Sequence, residues 1–397
     1  MSDAPDPYTP GQVPRVLAGR EAELGRIRDQ ISRVATFGEI GGPLLVFHAP
    51  RGLGKTSLLR TAQRQALEVG FVSVWVACSR DRPFLPELVH ATGRALERAG
   101  VPTGAAAKRW RTRLDKISLE LGVPGLKIGG DVVTRSEAEA PRSVAESAPI
   151  GALEDLLHGA ATMARGQHGA GLVVFLDELH TASPDDLSIL LNTVQNLDGE
   201  REDNPLAVVT AGLPVTPEAI TRAATFGERS TFVPLDVLSD ADARSLLTVP
   251  ADSLGVTWSV GALDLVTGEC RGHPYLLQLL GSATWQAARP SSGDTLATDH
   301  VRAGIPAARD QLDAMFRARW ASATPAERAF IRAMAAVGTD NVTRAAIATQ
   351  LGQPSRSISV PRERLIEKGV IEPVGHGLVR FTMPGFADYV RDRAPEG

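Results

Sequence analysis

The chain has 397 residues, 43% hydrophobic and 22% charged, an ordinary globular composition with length enough for two or three domains. A formal net charge of −4 excludes a protein whose main job is coating nucleic acid, so any DNA contact has to be local. The two cysteines, Cys78 and Cys270, suggest no CxxC site and no disulfide framework, and no apolar run reaches the roughly 18 residues needed to cross a bilayer, so a reducing cytoplasmic setting without a membrane is expected.

The opening MSDAPDPYTPGQ is polar and Pro-rich, without the build of a signal peptide, and reads as a flexible lead over 1–13. EAELGRIRDQISRVA places Leu24, Ile27, Ile31 and Val34 on one helical face. PLLVFHA reads as a buried strand, TSLLRTAQRQALEV as a helix, FVSVWVAC as a second strand, and PFLPELVHATGRALERAG as a helix stopped by Gly100. Apolar strands alternating with helices predict a parallel sheet covered on both faces. Residues 101–149 interrupt this pattern as an insertion: a basic cluster, KRWRTRLDK, fits a solvated helix face, followed by a short hairpin and a linker. IGALEDLLHGAATMARG resumes with a helix, GLVVFLDELH is a strand ending in acids, and SPDDLSILLNTVQNL is a helix with Ser183, Pro184 and Asp186 as a capping box. LAVVTAGLP and STFVPL bring the strands to five. Beyond about residue 238 the strands stop, and SDADARSLLTV, WSVGALDLVTGEC, PYLLQLLGSATWQAA and VRAGIPAARDQLDAMFRARW read as the helices of a lid, with SSGDT as a loop.

The last block opens at TPAERAFIRAMAAV, with a second capping box at Thr324, Pro325 and Glu327 and an apolar face of Phe330, Ile331, Met334 and Val337. TRAAIATQLG is a short helix ended at Gly352. QPSRSISVPRERLIEKG is a third, with Ile358, Leu365 and Ile366 turned inward and Pro361 delaying its start or bending it. VIEPVGHGLVRFTMP is a hairpin turning at Gly375-His376-Gly377. Three helices and a hairpin make a winged helix-turn-helix. Ser355, Arg356, Ser357, Arg362 and Arg364, with His376 and Arg380 on the wing, are its candidates for double-stranded DNA over 355–380. From Asp340 to Gly397, 8 Lys and Arg stand against 7 Asp and Glu, a net +1 that is weak for a duplex binder. Packing on the lid or on a partner protein is the alternative.

The chemistry lies in APRGLGKTSLL. The phosphate-loop pattern asks for Gly, four residues, then Gly-Lys-Ser/Thr, and here the leading Gly is Ala49. An alanine is harmless there if its φ is negative. Pro50, Arg51, Gly52, Leu53 and Gly54 form the loop, Lys55 is placed to reach the β and γ phosphates, Thr56 to ligate Mg²⁺, and Ser57 follows. Asp177 and Glu178, at the carboxyl end of a strand, stand where ligands bind in open α/β sheets, Asp177 for Mg²⁺ and Glu178 to polarise water. Thr210 can orient that water or bond local backbone. Arg229, before the fifth strand, is a candidate arginine finger toward a neighbouring subunit, with Arg222 as its competitor. No HExxH, zinc spacing or GxSxG elbow is present, and His180 reads as a polar loop residue.

Together these elements resemble the AAA+ ATPases and their signalling relatives, the STAND ATPases. VLAGREAEL is similar to the family's N-terminal GRExEL box, which implies that Gly19 and Arg20 lie near the adenine. APRGLGKTSLL is similar to Walker A and VVFLDELH to Walker B. Thr210 falls at the sensor 1 position and Arg229 at the box VII position. The origin-recognition and initiator clade, with a lid and a C-terminal winged helix, is the subgroup resembled most. Its lid arginine is missing here: CRGHPYLLQLLG has instead Gly272-His273-Pro274, similar to the GxP motif of STAND ATPases, which implies Pro274 near the adenine and slow, switch-like hydrolysis. The expected organisation is a P-loop α/β core over 14–238, a lid over 239–322 and a winged helix-turn-helix over 323–397. The expected function is an ATP- and Mg²⁺-dependent switch, DNA-associated and capable of ATP-dependent homo-oligomerisation. The alternatives are a regulatory ATPase whose winged helix contacts protein, and an ATPase that binds without turnover.

Overall fold

Five of the apolar runs form one parallel sheet. The structure, a computed structural model, describes residues 3–101, 108–110, 112–114, 116–117, 121, 142–166, 169–375 and 377–392. Strands β1 (Leu45–His48), β2 (Phe71–Ala77), β3 (Gly171–Asp177), β4 (Leu206–Gly212) and β5 (Thr231–Pro234) lie in the order β2-β3-β4-β1-β5, every pair parallel. All residues of β3 and β4 are buried. Inner strands covered on both faces have no polar side to alternate with, which is why those runs read as unbroken apolar sequence.

Helices α1 (Glu21–Phe37) and α2 (Lys55–Glu68) cover one face, packing Ile27, Val34, Leu58 and Leu59 on Phe47, Phe175 and Val209. Helices α3 (Phe84–Arg98), α4 (Arg142–Arg165), α5 (Pro184–Gly199) and α6 (Thr216–Ala223) take the other, over Val46, Val74, Val174 and Val208. Helix α4 begins at Arg142 rather than near Ile150. The basic cluster is helical where it is described: Trp110, Leu114 and Ile117 are buried, and Lys108, Arg109, Arg113 and Lys116 are exposed. The hairpin expected after it lies outside the described residues. The capping box at Ser183 is half made. Ser183 accepts from the Asp186 amide at 3.0 Å, but the Asp186 carboxylate accepts instead from the Phe84 amide at 2.8 Å. It thereby caps α3, whose own N-cap, Pro83, has no side-chain acceptor.

Past β5 come α7 (Asp240–Asp252), α8 (Val260–Cys270), α9 (Pro274–Ala288) and α10 (Thr298–Ala321). The strands do not stop altogether: β6 (Thr257–Trp258) pairs in parallel with β7 (Thr295–Leu296), at the edge of the expected SSGDT loop. Two-residue strands carry no periodicity for a sequence to show. The chain then forms α11 (Pro325–Val337), β8 (Val342–Thr343), α12 (Arg344–Leu351), α13 (Ser359–Glu367), β9 (Ile371–Gly375), β10 (Leu378–Phe381) and α14 (Phe386–Asp392), with an antiparallel sheet in the order β8-β10-β9. That element order is the one a winged helix-turn-helix has, with α14 added. The Thr324 box is complete: Glu327 donates its amide to Thr324 Oγ1 at 3.3 Å and accepts from the Thr324 amide at 2.8 Å. Pro361 falls in the first turn of α13, where its missing N–H costs nothing. Ile358 and Leu365 are buried, whereas Val337 is exposed rather than inward. His376 lies outside the described residues.

One apolar cluster runs through the lid helices and this last block, with Phe316 of α10 set 5.3 Å from Phe386 and 5.7 Å from Tyr389. The same cluster takes in Tyr8, which overturns the flexible lead expected over 1–13. Residues 3–13 run along the lid. The Tyr8 hydroxyl donates to the Leu247 carbonyl at 2.6 Å and accepts from Trp258 Nε1 at 2.8 Å. Trp285 Nε1 donates to the Ala4 carbonyl, Ser282 to Asp6, and the Thr9 amide to Gln278.

Candidate nucleotide-binding site

The loop between β1 and α2 is bent as phosphate binding requires. Gly52 and Gly54 have φ of 86° and 87°, in the left-handed region that favours glycine. Ala49 has no positive φ, is 2% exposed, and donates its amide to the Gly212 carbonyl of β4, so its methyl is accommodated. The opening amides of α2 and its helix dipole face the loop. Lys55 is 5% exposed and its Nζ donates to the Ala49 and Pro50 carbonyls, both at 2.8 Å. Burial pulls its pKa down to about 8, against the opposing pull of Glu178 and Asp177.

The carboxyl end of β3 meets this loop. Asp177, 4% exposed, accepts from Thr56 Oγ1 at 2.7 Å through one oxygen and from the Glu178 amide at 2.9 Å through the other. Glu178 itself sits at φ 55°, unusual for a side-chain-bearing residue, held there by that bond and by Thr181 donating to its carbonyl at 2.8 Å. Its carboxylate lies 3.3 Å from the Arg51 guanidinium and 3.7 Å from His180 Nε2. His180, in the turn after β3, has its side chain buried. Its Nδ1 accepts from the Leu213 amide at 3.3 Å, and burial, then Arg51 and Lys55, hold its pKa near 3. Thr210 on β4 stands in register with Leu176 of β3 and Val46 of β1, fully buried, and its hydroxyl has no hydrogen-bond partner, so the local backbone bond it could have made is not made.

A cavity of about 380 Å³ opens over the loop, lined by Arg51 through Ser57, by Glu178, Pro274 and Tyr275, and on its N-terminal side by Arg20 and residues between Thr9 and Ala18. Its size suits a nucleotide. A larger cleft of about 890 Å³ between the lid and the last block borders Pro50 and Leu53 but contains neither the loop glycines nor Lys55. The contribution of the N-terminal segment was invisible in the sequence; a lone Tyr8 in a polar stretch was its one available signal. Pro274 begins α9 and lines the cavity. The preceding His273 is 2% exposed and packs on Gly52 so closely that a Cβ there would stand 2.6 Å from its Cε1. Burial holds His273 neutral, with a pKa of about 4. The Tyr275 amide donates to the Gly52 carbonyl at 3.3 Å, so lid and loop are in direct contact.

Of the two residues expected near the adenine, Arg20 lines the cavity and Gly19 does not. The Arg20 guanidinium, 5% exposed, is bonded to the Leu53 and Asp236 carbonyls, which ties α1 to the loop and to the start of the lid. Gly19 is outside the cavity lining and packs against Asp242 of α7, which a Cβ would meet at 2.7 Å. Arg229 is exposed at the amino end of β5, away from the cavity, its guanidinium 5.5 Å above the Phe226 ring, and Arg222 is paired with Glu218 at 2.7 Å.

This arrangement can surround a phosphate with amides and place a hydroxyl and a carboxylate for a divalent cation. Among the described residues no group of three or more His, Cys, Asp or Glu is built to hold a metal alone, so a cation here would share phosphate oxygens. The donor set therefore fits a magnesium nucleotide. Among the described residues, no helix is long and apolar enough to cross a membrane.

Comparison with known proteins agrees with this geometry. Residues 16–209 match an AAA ATPase domain, and residues 313–390 match a domain of unknown function, DUF8462. Among solved structures, the chain is similar to the Walker-type ATPase PABY2304 of Pyrococcus abyssi at 14% identity, TM-score 0.57, covering 94% of this chain and 96% of that one. It is also similar to Cdc6p of Pyrobaculum aerophilum, at 13% identity, TM-score 0.49, with coverage of 98% and 97%. For the Orc1 protein of Aeropyrum pernix, solved in complex with DNA, the values are 14%, 0.46, 97% and 95%. No curated protein matches the sequence. At such identities the structural likeness is one of fold. The AAA ATPase match, set on a five-stranded parallel sheet with its phosphate loop and paired acids in place, identifies residues 16–209 as an AAA ATPase domain.

Proposed function

We propose that the chain hydrolyses ATP slowly, with Mg²⁺, as a nucleotide-driven switch whose last block is the output. The observation carrying this is the Thr56–Asp177 contact at 2.7 Å beside the buried Lys55, with Glu178 next along the chain. A bound magnesium nucleotide supplies the phosphoanhydride to be cleaved. The amides of 52–56 and Lys55 hold its phosphates, and Thr56 and Asp177 hold the cation. Glu178 accepts a proton from the attacking water, and Thr210 donates its unpaired hydroxyl to orient it. Arg229, exposed and outside its own cavity, acts in trans on a neighbouring copy. Pro274, Tyr275 and the 13–18 segment close on the base, and the lid angle then sets how the last block is presented.

We further read the last block as a winged helix-turn-helix that contacts double-stranded DNA. Ser355, Arg356 and Ser357 are exposed in the turn just before α13, at the end that meets base edges in this motif, and Arg364 is exposed in its second half. Arg380 is already bonded to Glu372, and Arg362 is partly buried, so the cationic surface is modest and affinity should be low. A second reading, a protein-facing regulatory clamp, is favoured by the contact of this block with the core: Arg80 donates to the Glu367 carbonyl at 2.7 Å. Fluorescence anisotropy of a labelled duplex at two salt concentrations, with and without Mg-ATP, separates the two. Binding that weakens steeply with salt and depends on ATP supports the DNA reading; no binding at low salt in either state supports the clamp.

A further inference from the structure

The cleft of about 890 Å³ between the lid and the last block has, among the described residues, only Leu53 in common with the nucleotide cavity. Its floor is apolar and helical in spacing. Leu276, Leu279 and Leu280 come from α9, and Ile305, Leu312 and Phe316 from α10. The stripe from Ile305 to Phe316 follows about three turns of α10, roughly 16 Å of helix. Its walls are acidic. Seven Asp and Glu line the cleft against three Arg, an excess as large as that of the whole chain, and one of those arginines, Arg380, is bonded to Glu372. Glu269 at the end of α8, Asp340 before β8 and Asp392 at the end of α14 are exposed on it. His273 lines it too, 2% exposed, and neither of its ring nitrogens has a hydrogen-bond partner among the described residues.

We propose that this cleft docks an amphipathic helix of a partner protein, its apolar face on the α9–α10 floor and its Lys and Arg against the acids of both walls. The acid excess repels nucleic acid, and the apolar floor leaves a purely ionic ligand such as a polyamine without contacts. A helix with apolar anchors at i, i+3, i+4 and i+7 and basic flanks matches the floor and the walls together. His273 is placed to hydrogen-bond a polar side chain of that helix. None of this depends on the reading of the nucleotide site.

The test is fluorescence anisotropy of the full chain with a labelled synthetic peptide of about 14 residues, leucines at helical spacing and lysines elsewhere. Micromolar binding that weakens with salt is expected, and none for the same peptide with glutamates in place of its lysines. Glu269→Lys with Asp340→Lys, which reverses one exposed charge on the lid and one on the last block, should weaken binding about tenfold. Glu202→Lys with Asp203→Lys makes an equal charge change in the exposed turn before β4, outside the cleft, and should weaken it by less than about twofold. Leu312→Ala should weaken it about fivefold with the salt dependence unchanged. No binding to wild type, equal binding of the glutamate peptide, or equal losses from the two charge reversals overturns the proposal. So does undiminished binding by Leu312→Ala, which would leave only adsorption to surface charge. Hydrogen exchange on the wild-type chain checks the placement without a variant: the lysine peptide should slow amides of 305–316 and 386–392 and leave β3 unchanged, and protection confined to other elements overturns it. Sedimentation of the chain alone tests the rival occupant. Concentration-dependent dimers that Glu269→Lys with Asp340→Lys dissolves would give the cleft to a second copy and overturn the partner reading.

Discussion

Removing one oxygen atom from Tyr8 should release the N-terminal segment. In Tyr8→Phe the ring still fills its place against Trp258 and Trp285, 6.3 and 6.0 Å away, so packing is retained. What is lost is a hydroxyl that serves two buried groups at once, the Leu247 carbonyl at 2.6 Å and Trp258 Nε1 at 2.8 Å. Orphaning a buried donor and a buried acceptor costs about 1–3 kcal/mol each, and some of that is recovered by water when the segment lifts. A net cost of about 2–3 kcal/mol converts to a roughly 30- to 150-fold higher population of the detached segment. Hydrogen exchange of residues 3–13 should accelerate by that factor, while β3 and β4 exchange as before. Because residues 13–18 line the nucleotide cavity, affinity for a fluorescent ATP analogue should fall as well. Unchanged exchange over 3–13 would refute the anchoring role of the hydroxyl. Faster exchange with undiminished affinity would refute the claim that this segment helps form the site.

Two other expectations follow from buried groups. His180 and His273 are held neutral, with pKa values near 3 and 4 against 6.5 in the unfolded chain, so below pH 6.5 the unfolded chain binds protons that the folded one refuses. Stability should be fully present above that pH and decline as pH falls from 6.5 toward 3, the His273 share by about pH 4; thermal melts should show it, and His273→Gln should flatten the slope. Gly272→Ala should cost several kcal/mol, since Gly272 has φ 71° and a Cβ would stand 2.2 Å from the Leu238 carbonyl, and a melting temperature equal to wild type would contradict that.

The sheet was legible because its strands are buried on both faces. GLVVFLD and LAVVTAG cannot be mistaken for half-exposed runs, and the acids that follow the first of them mark its carboxyl end. The phosphate loop was legible because left-handed turns demand glycine, and Gly52 and Gly54 supply it. Less was readable wherever a residue's partner is distant in sequence. Asp186 looked like part of a local cap, yet its carboxylate serves Phe84, 102 positions away. Arg20 lines the cavity, but the bonds of its guanidinium to the Leu53 and Asp236 carbonyls join segments far apart in the chain and leave no local trace. The docking of residues 3–13 depends on single polar atoms matched across the fold, which no periodicity records. His180 and His273 likewise carry no local signal of burial.

The central claim is hydrolysis of ATP at the Lys55–Asp177–Glu178 site. Phosphate release and fluorescent-nucleotide binding, measured together on wild type, Lys55→Ala and Glu178→Gln, test it most directly. Slow magnesium-dependent release by wild type, loss of binding in Lys55→Ala, and retained binding without release in Glu178→Gln are the results expected. Release from Lys55→Ala or Glu178→Gln at the wild-type rate would contradict the account.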